Sequence, residues 1–185
     1  MLTIALVAAA ALATIAVAVL LVSRGAVTVD LGIGRSIRPL GPIEIRIAAP
    51  RAVVFDVVSA PYLGRTPRAL QSKLRVVERG GEMVLAAHFT QLRGLVATTL
   101  ETVRFEAPSR VDFRLVRGPV PYVVEQFLLQ EDGEATLFEY RGELGTDGWA
   151  AGRLWGRLVA RKWERAVRTT LESVRTEAER RAGSR

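Results

Sequence analysis

The chain has 185 residues, no cysteine, and 26 Lys and Arg against 19 Asp and Glu, a formal net charge of +7. The length predicts one domain, and the missing thiols exclude disulfides, thiolate nucleophiles and cysteine-ligated metal sites. Ten basic and four acidic residues fall between 151 and 185, so this segment alone carries +6. A basic excess of this kind is typical of proteins that meet nucleic acid, an anionic membrane surface or an acidic ligand.

Residues 2–22 contain no charged residue, proline or glycine. A helix of this length spans a hydrocarbon core of about 30 Å, whereas the apolar core of a signal peptide has only about 7–15 residues. The pattern therefore favours one transmembrane helix over a cleaved signal sequence. Arg24, Arg35 and Arg38 follow this run, and basic residues tend to stay in the cytoplasm. We expect a single-pass protein of the cell membrane with its domain on the cytoplasmic side.

The first folded elements after the apolar run are a strand and a short helix. Residues 23–42 are rich in glycine, proline and basic residues, and we predict a juxtamembrane linker there. Isoleucine alternates with charged residues from 43 to 47, the period-two pattern of a half-buried strand. Pro50 suits the first turn of a helix, in which the valines of 53–58 recur at helical spacing.

Six further strand-like runs follow, separated by turn residues such as Gly80-Gly81 and Asp132-Gly133. The predicted strands cover residues 73–79, 82–90, 95–106, 110–117, 121–130 and 134–143. Together with the first strand they predict about seven strands, joined mainly as an antiparallel meander.

Residues 149–181 lack proline and predict the longest helix of the chain. One arc of this helix, expected to be buried, consists of Trp155, Val159, Trp163, Ala166, Thr170 and Val174. The opposite arc consists of Arg153, Arg157, Arg161, Arg165, Arg168 and Arg175. We expect this arginine arc to be solvated, with contact to anionic lipid headgroups as the functional alternative. Nucleic acid is not expected as a partner, because no exposed aromatic residues interleave with the basic row.

This order of elements resembles the helix-grip fold of the SRPBCC superfamily, which includes START-type lipid-binding domains, the birch pollen allergen family and polyketide cyclases. The resemblance covers roughly residues 43–182 and rests on the segments IEIRIAAPRAVVFDV (43–57), FEAPSRV (105–111) and GEAT (133–136). It implies an α+β domain in which a curved antiparallel sheet wraps around the long C-terminal helix. It also implies a ligand cavity between that helix, the sheet and the loops. No catalytic residue is carried over, because fold alone does not imply an activity.

Strand parity and the helical arc together give the residues expected to contact a ligand. They are Leu85, Phe89, Val103, Phe113, Phe127, Phe138, Tyr140, Trp155, Val159 and Trp163. Glu101 and Glu125 share the inward parity, and a buried carboxyl has a raised pKa that suits an acid or base. Tyr140 is a third candidate for this role. The alternative is that a β-bulge shifts the parity, or that each glutamate pairs with an arginine near a strand end.

His88 is the single histidine, and we predict a structural or solvent-facing side chain there rather than a catalytic one. Without a second histidine or a cysteine, no metal site is expected. The sequence contains neither a phosphate-binding glycine loop nor a nucleophile elbow, so we expect no nucleotide cofactor and no serine hydrolase.

Three functions are compatible with these features. The first is membrane-anchored binding of a hydrophobic small molecule or lipid in an internal cavity. The second is a polyketide cyclase or dehydratase-type enzyme that uses Glu125, Glu101 or Tyr140 as acid or base. The third is a membrane-associated stress or assembly protein without a ligand. Convergent carboxylate and hydroxyl groups in the interior would favour catalysis over simple binding.

Overall fold

The computed structural model describes residues 2–64, 72–92 and 94–184. Its elements are α1 (Leu2–Ser23), β1 (Ser36–Ile47), α2 (Arg51–Leu63), β2 (Leu74–Arg79), β3 (Met83–Leu92), β4 (Leu95–Glu106), β5 (Arg110–Arg117), β6 (Tyr122–Asp132), β7 (Ala135–Thr146) and α3 (Trp149–Gly183). The seven strands form one antiparallel sheet in the order β1-β7-β6-β5-β4-β3-β2. The chain therefore crosses from one edge of the sheet to the other between β1 and β2, and α2 lies on that crossing. The expected α+β helix-grip fold is confirmed.

Helix α3 packs on β1, β7 and α2. The predicted arc is correct at Val159 and Val174, but Thr170 is exposed and Leu171 is buried in its place. Small residues also line the buried face, including Gly156, whose Cα lies so close to β7 that an added Cβ would be 3.0 Å from the Thr146 hydroxyl. Glycine has a hydropathy close to zero, so the predicted arc was centred on the tryptophans instead. As a result, the predicted arc is rotated about the helix axis relative to the face that is buried in the structure.

The opposite face of α3 is basic, as predicted. Five of its six arginines are exposed, and Arg175 is half-buried and paired with Glu172 at 2.6 Å.

Strand β3 presents the face opposite to the one predicted, so the prediction that Leu85 and Phe89 face the helix is wrong. Val84 is 3% exposed and pairs with the fully buried Val103, which places the even-numbered residues of β3 inside. Leu85 and Phe89 lie on the outer face and are half-buried there. Nearly every residue from 83 to 89 is apolar, so a period of two could not distinguish the two faces.

Strand β1 begins at Ser36, inside the segment predicted as a linker. The register with β7 shifts between Leu40 and Ile43, where Gly41 and Pro42 form a bulge. A proline is tolerated there because β1 is an edge strand and one side of it has no ladder partner.

Helix α1 is apolar on all sides. The stretch Thr3–Ser23 has a mean hydropathy of 2.8, and none of it is buried against the domain. This helix has the length and composition of a membrane anchor or of a signal sequence.

Candidate functional site

The inner face of the sheet carries a row of aromatic rings in mutual contact. Tyr62 of α2 begins the row, and neighbouring rings meet mostly edge to face with centroids 5.0 to 6.4 Å apart. The row contains Tyr62, His88, Phe105, Phe113, Phe127, Phe138 and Tyr140. Apolar side chains from β4 and α3, Val103 and Val159, are also buried in this interior. The structure thus brings together most of the residues that the sequence assigned to ligand contact, but not Leu85 or Phe89.

A first polar cluster lies where β6, β7 and α3 meet. The Tyr140 hydroxyl donates a hydrogen bond of 2.7 Å to Oε2 of Glu125, and Nε1 of Trp163 donates a second bond of 2.7 Å to the same oxygen. As predicted from strand parity, Glu125 faces the interior and is 8% exposed. Gly142 pairs with Glu125 across the ladder, and a Cβ at Gly142 would lie 2.9 Å from the Cβ of Glu125. The missing side chain at Gly142 therefore leaves room for this carboxyl group.

A second polar cluster lies at the other side of the aromatic row. Nδ1 of His88 is 3.2 Å from Oε2 of Glu101, and its Nε2 is 2.9 Å from the Tyr62 hydroxyl. The Thr99 hydroxyl donates a 2.5 Å hydrogen bond to Oε1 of Glu101. Glu101 is 5% exposed, so the inward parity predicted for it is also correct. His88 faces the interior, so of the two positions predicted for it, structural or solvent-facing, the solvent-facing one is wrong.

The contact between His88 and Glu101 could have been predicted from the pairing of β3 with β4, although not from the parity of either strand alone. Strands β3 and β4 pair in an antiparallel register in which His88 lies opposite Thr99. Residues that pair directly share a face, and so do alternate residues of one strand, so His88 and Glu101 are neighbours on the inner face. Tyr62 had no such signal, because its place against His88 depends on how α2 packs on the sheet.

The two glutamates differ in their protonation. Burial alone would raise the pKa of Glu101, but the charge of His88, whose Nδ1 is 3.2 Å away, and the hydrogen bond from Thr99 hold that pKa below its ordinary value. Burial would lower the pKa of His88, yet Glu101 raises it overall. Each of these two side chains therefore favours the charged form of the other. Burial, followed by the negative charge of Glu101, raises the pKa of Glu125 to about 7.

The two tyrosines of the site keep their hydroxyl protons at neutral pH. Burial, together with the nearby carboxylates, raises the pKa of both Tyr62 and Tyr140 far above the ordinary value. When the His88 imidazole is protonated, its Nε2–H donates to the Tyr62 oxygen and the Tyr62 proton can bond elsewhere. When the imidazole is neutral with Nε2 unprotonated, the Tyr62 hydroxyl donates to Nε2 instead. The arrangement can thus bind an oxygen atom of a ligand and can exchange a proton at Glu125 near neutral pH.

Other predicted residues lie at the border of this site or outside it. Trp155 is half-buried and donates to the Pro119 carbonyl at 2.8 Å, so it fixes the β5–β6 connection. Trp149, the first residue of α3, is 62% exposed. Within residues 2–64, 72–92 and 94–184, no three His, Asp or Glu side chains are grouped so that they could hold a metal ion.

Comparison with known proteins agrees with this architecture. Residues 43–179 match the family described as polyketide cyclase / dehydrase and lipid transport. No curated protein matches the chain in sequence.

Solved structures share the fold at low sequence identity. The Zhui aromatase/cyclase from Streptomyces sp. R1128 aligns with a TM-score of 0.65 and 16% identity, over 79% of this chain and 96% of that one. TTHA0849 from Thermus thermophilus gives 0.59 and 18%, over 77% and 97% of the two chains. A START superfamily protein from Mycobacterium smegmatis gives 0.51 and 13%, over 80% and 97%. At such identities the likeness establishes the fold and leaves the ligand open.

Proposed function

Because this chain belongs to the polyketide cyclase / dehydrase and lipid transport family, we propose that it binds a hydrophobic small molecule or lipid between the curved sheet and α3. The observation that carries this proposal is the continuous row of aromatic rings on the inner face. Such rings offer a large apolar contact area at a low cost in side-chain entropy. The Tyr62 hydroxyl at one end of the row supplies a hydrogen bond for a ligand oxygen.

The proposal includes anchoring of the domain to a membrane by α1. This helix has 22 residues, which suffices to cross a bilayer, and no part of its apolar stretch is used by the domain core. The basic residue Arg24 at its end favours a cytoplasmic domain. Protease added to intact cells should then leave the domain uncut, and cleavage by external protease would reverse this orientation.

Ligand binding is tested on the purified full chain by solvent extraction and mass spectrometry of the molecules that it retains. Phe113 touches Tyr62, His88 and Phe127, so Phe113→Leu should weaken retention about tenfold. Val116, on the outer face of the same strand and 55% exposed, gives the matched control Val116→Leu, which should retain as much as the wild type. Absence of any retained apolar molecule, or an equal effect of both variants, would contradict binding at this face.

A second candidate function, acid–base catalysis on a carbonyl compound, is favoured by the pKa of Glu125. A carboxyl that titrates near 7 can take a proton from an acidic carbon and return it at neutral pH. The test is deuterium exchange at the central carbon of a 1,3-diketone, followed by NMR. An enzyme should lose about 10² to 10⁴ in rate on Glu125→Gln with folding intact, whereas the exposed Glu82→Gln should lose nothing. A binding protein should show no exchange above background with either variant.

A further inference from the structure

The segment between α1 and β1 is held against the domain at three points, although its sequence suggested a flexible linker. The carbonyl of Arg24 accepts a 2.9 Å hydrogen bond from the Thr98 amide of β4. The Thr28 hydroxyl donates to the Gly118 carbonyl and accepts from the Gly118 amide, both at 2.8 Å. We call residues 24–35 the strap.

The third attachment of the strap is at Asp147, which precedes α3. Its carboxylate accepts hydrogen bonds from the amides of Leu31 and Gly32 at 2.7 and 2.8 Å. It also pairs with Arg35 at 2.7 Å, and the hydrogen bond from Arg35 lowers the pKa of Asp147 to about 2. Next to it, the amide of Trp149 donates to the carbonyl of Gly34.

The start of the strap is packed closely against β4. Gly25 has a φ of +67°, and a Cβ at this residue would lie 1.8 Å from the Thr98 carbonyl oxygen. The amides of Gly25 and Ala26 bond back to Val22 and Leu21 of α1, so helix and strap are continuous. The end of the sheet that carries Thr98, Gly118 and Asp147 is therefore fixed beside the exit of α1.

This end of the molecule exposes large apolar side chains that have no core role. Four of them alternate along the strap, and the first turns of α3 add two more. The set comprises Val27 (46% exposed), Val29 (44%), Leu31 (60%), Ile33 (53%), Trp149 (62%) and Leu154 (56%). We call these six residues the apolar rim. A soluble surface seldom gathers so many large apolar side chains without a partner.

Positive charge accompanies the apolar rim. Arg24 and Arg117 line a cleft of about 420 Å³ between the strap and the start of β4, and in the described part of the chain neither arginine forms an ion pair. Arg153 and Arg157 are exposed in the first turns of α3. Apolar side chains flanked by arginines match the boundary between acyl chains and anionic headgroups.

We infer that the apolar rim and its arginines dock the domain on the bilayer that holds α1, so that the strap end of the sheet lies on anionic lipid. This inference rests on the anchoring by α1 proposed above. A domain on a flexible tether would sample all orientations relative to the bilayer. Because the strap is bound to the sheet beside the exit of α1, the end of the domain that carries the apolar rim faces the lipid. The headgroup-binding part of the surface is the cleft between Arg24 and Arg117.

The cysteine-free chain allows a direct test with single-cysteine variants of the full protein, each labelled with the fluorophore NBD. Leu31→Cys and Leu154→Cys report on docking, and Ala9→Cys in α1 reports on anchoring. Glu82→Cys, 80% exposed at the opposite end of β3, is the control. The proteins are reconstituted in vesicles of phosphatidylcholine with and without phosphatidylglycerol, and dithionite quenching measures the exposure of each label.

Docking predicts that the labels at 31 and 154 are protected with anionic lipid, while the label at 82 is quenched freely. The pair Arg24→Gln and Arg117→Gln should each reduce the docked-to-free ratio about fivefold. If the label at 9 is protected while those at 31 and 154 behave like the label at 82, docking is wrong and anchoring stands. If the label at 9 is also exposed, anchoring itself is wrong. If the labels at 31 and 154 lose their protection when each vesicle contains only one protein chain, the apolar rim mediates self-association and the inference is wrong.

Discussion

Replacing Glu125 with glutamine removes a titratable group from the interior but keeps an oxygen that can accept hydrogen bonds from Tyr140 and Trp163. The carboxyl has an ordinary pKa of 4.5, and in the folded domain its pKa is about 7. The folded state therefore holds this proton more tightly than the unfolded chain does.

The sign of the effect on stability follows from this difference. Below pH 4.5 both states are protonated, and the group does not weaken the fold. As the pH rises from 4.5 to about 7 the unfolded chain ionises first, and stability falls. Above both values the folded domain carries a buried charge that costs about 3 kcal/mol, a large part of a usual stability of about 5–15 kcal/mol. Glu125→Gln should therefore match the wild type in acid and exceed it by about 3 kcal/mol at about pH 8.

The assay is urea unfolding of the full chain in a mild detergent, followed by tryptophan fluorescence, at about pH 5 and about pH 8. Any cost of fitting the amide group is the same at both pH values, so the change in the difference between variant and wild type isolates the charge. Glu82→Gln removes an exposed carboxyl near Arg104 and should show the same small effect at both pH values. A gap between Glu125→Gln and wild type that does not widen with pH would refute the reasoning.

Three further predictions concern the helices and the strap. Trp163→Ala should lower the free energy of unfolding by about 3 kcal/mol, because it removes a half-buried ring and a hydrogen-bond donor to a buried carboxylate. Replacement of the exposed Arg157 by alanine should be nearly neutral, and thermal melts of both variants test this difference. Gly25→Ala should release the strap and make it sensitive to limited proteolysis, while Gly32→Ala, also at positive φ but with open space around it, should do so far less; equal cleavage of both would contradict the attachment described. The chain should stay in the membrane fraction through high-salt and carbonate washes because of α1, and a soluble mature form beginning near Gly25 would show cleavage instead.

The sequence determined the elements of this protein because their signals are local. Isoleucine alternation in 43–47 and the Asp132-Gly133 turn each depend on a few neighbouring residues, and the structure confirms the strand and hairpin there. The inward position of Glu101 and Glu125 was equally predictable, because each glutamate shares its strand parity with apolar residues of β4 or β6. On these grounds the seven strands and the inward position of the two glutamates were predictable, whereas the helix-grip arrangement was predicted from the resemblance to the SRPBCC superfamily.

Tertiary structure decided what lies between elements. The inner face of β3 could not be predicted from a run that is apolar on both faces, and its pairing with β4 turned His88 inward and Leu85 outward. The contact of Tyr62 with His88 depends on the packing of α2, which no short-range pattern encodes. Attachment of the strap to Asp147 likewise joins residues more than a hundred positions apart. Such contacts are set by the free energy of burying the whole interior at once, whereas hydrophobic periodicity records only which face of each element is buried.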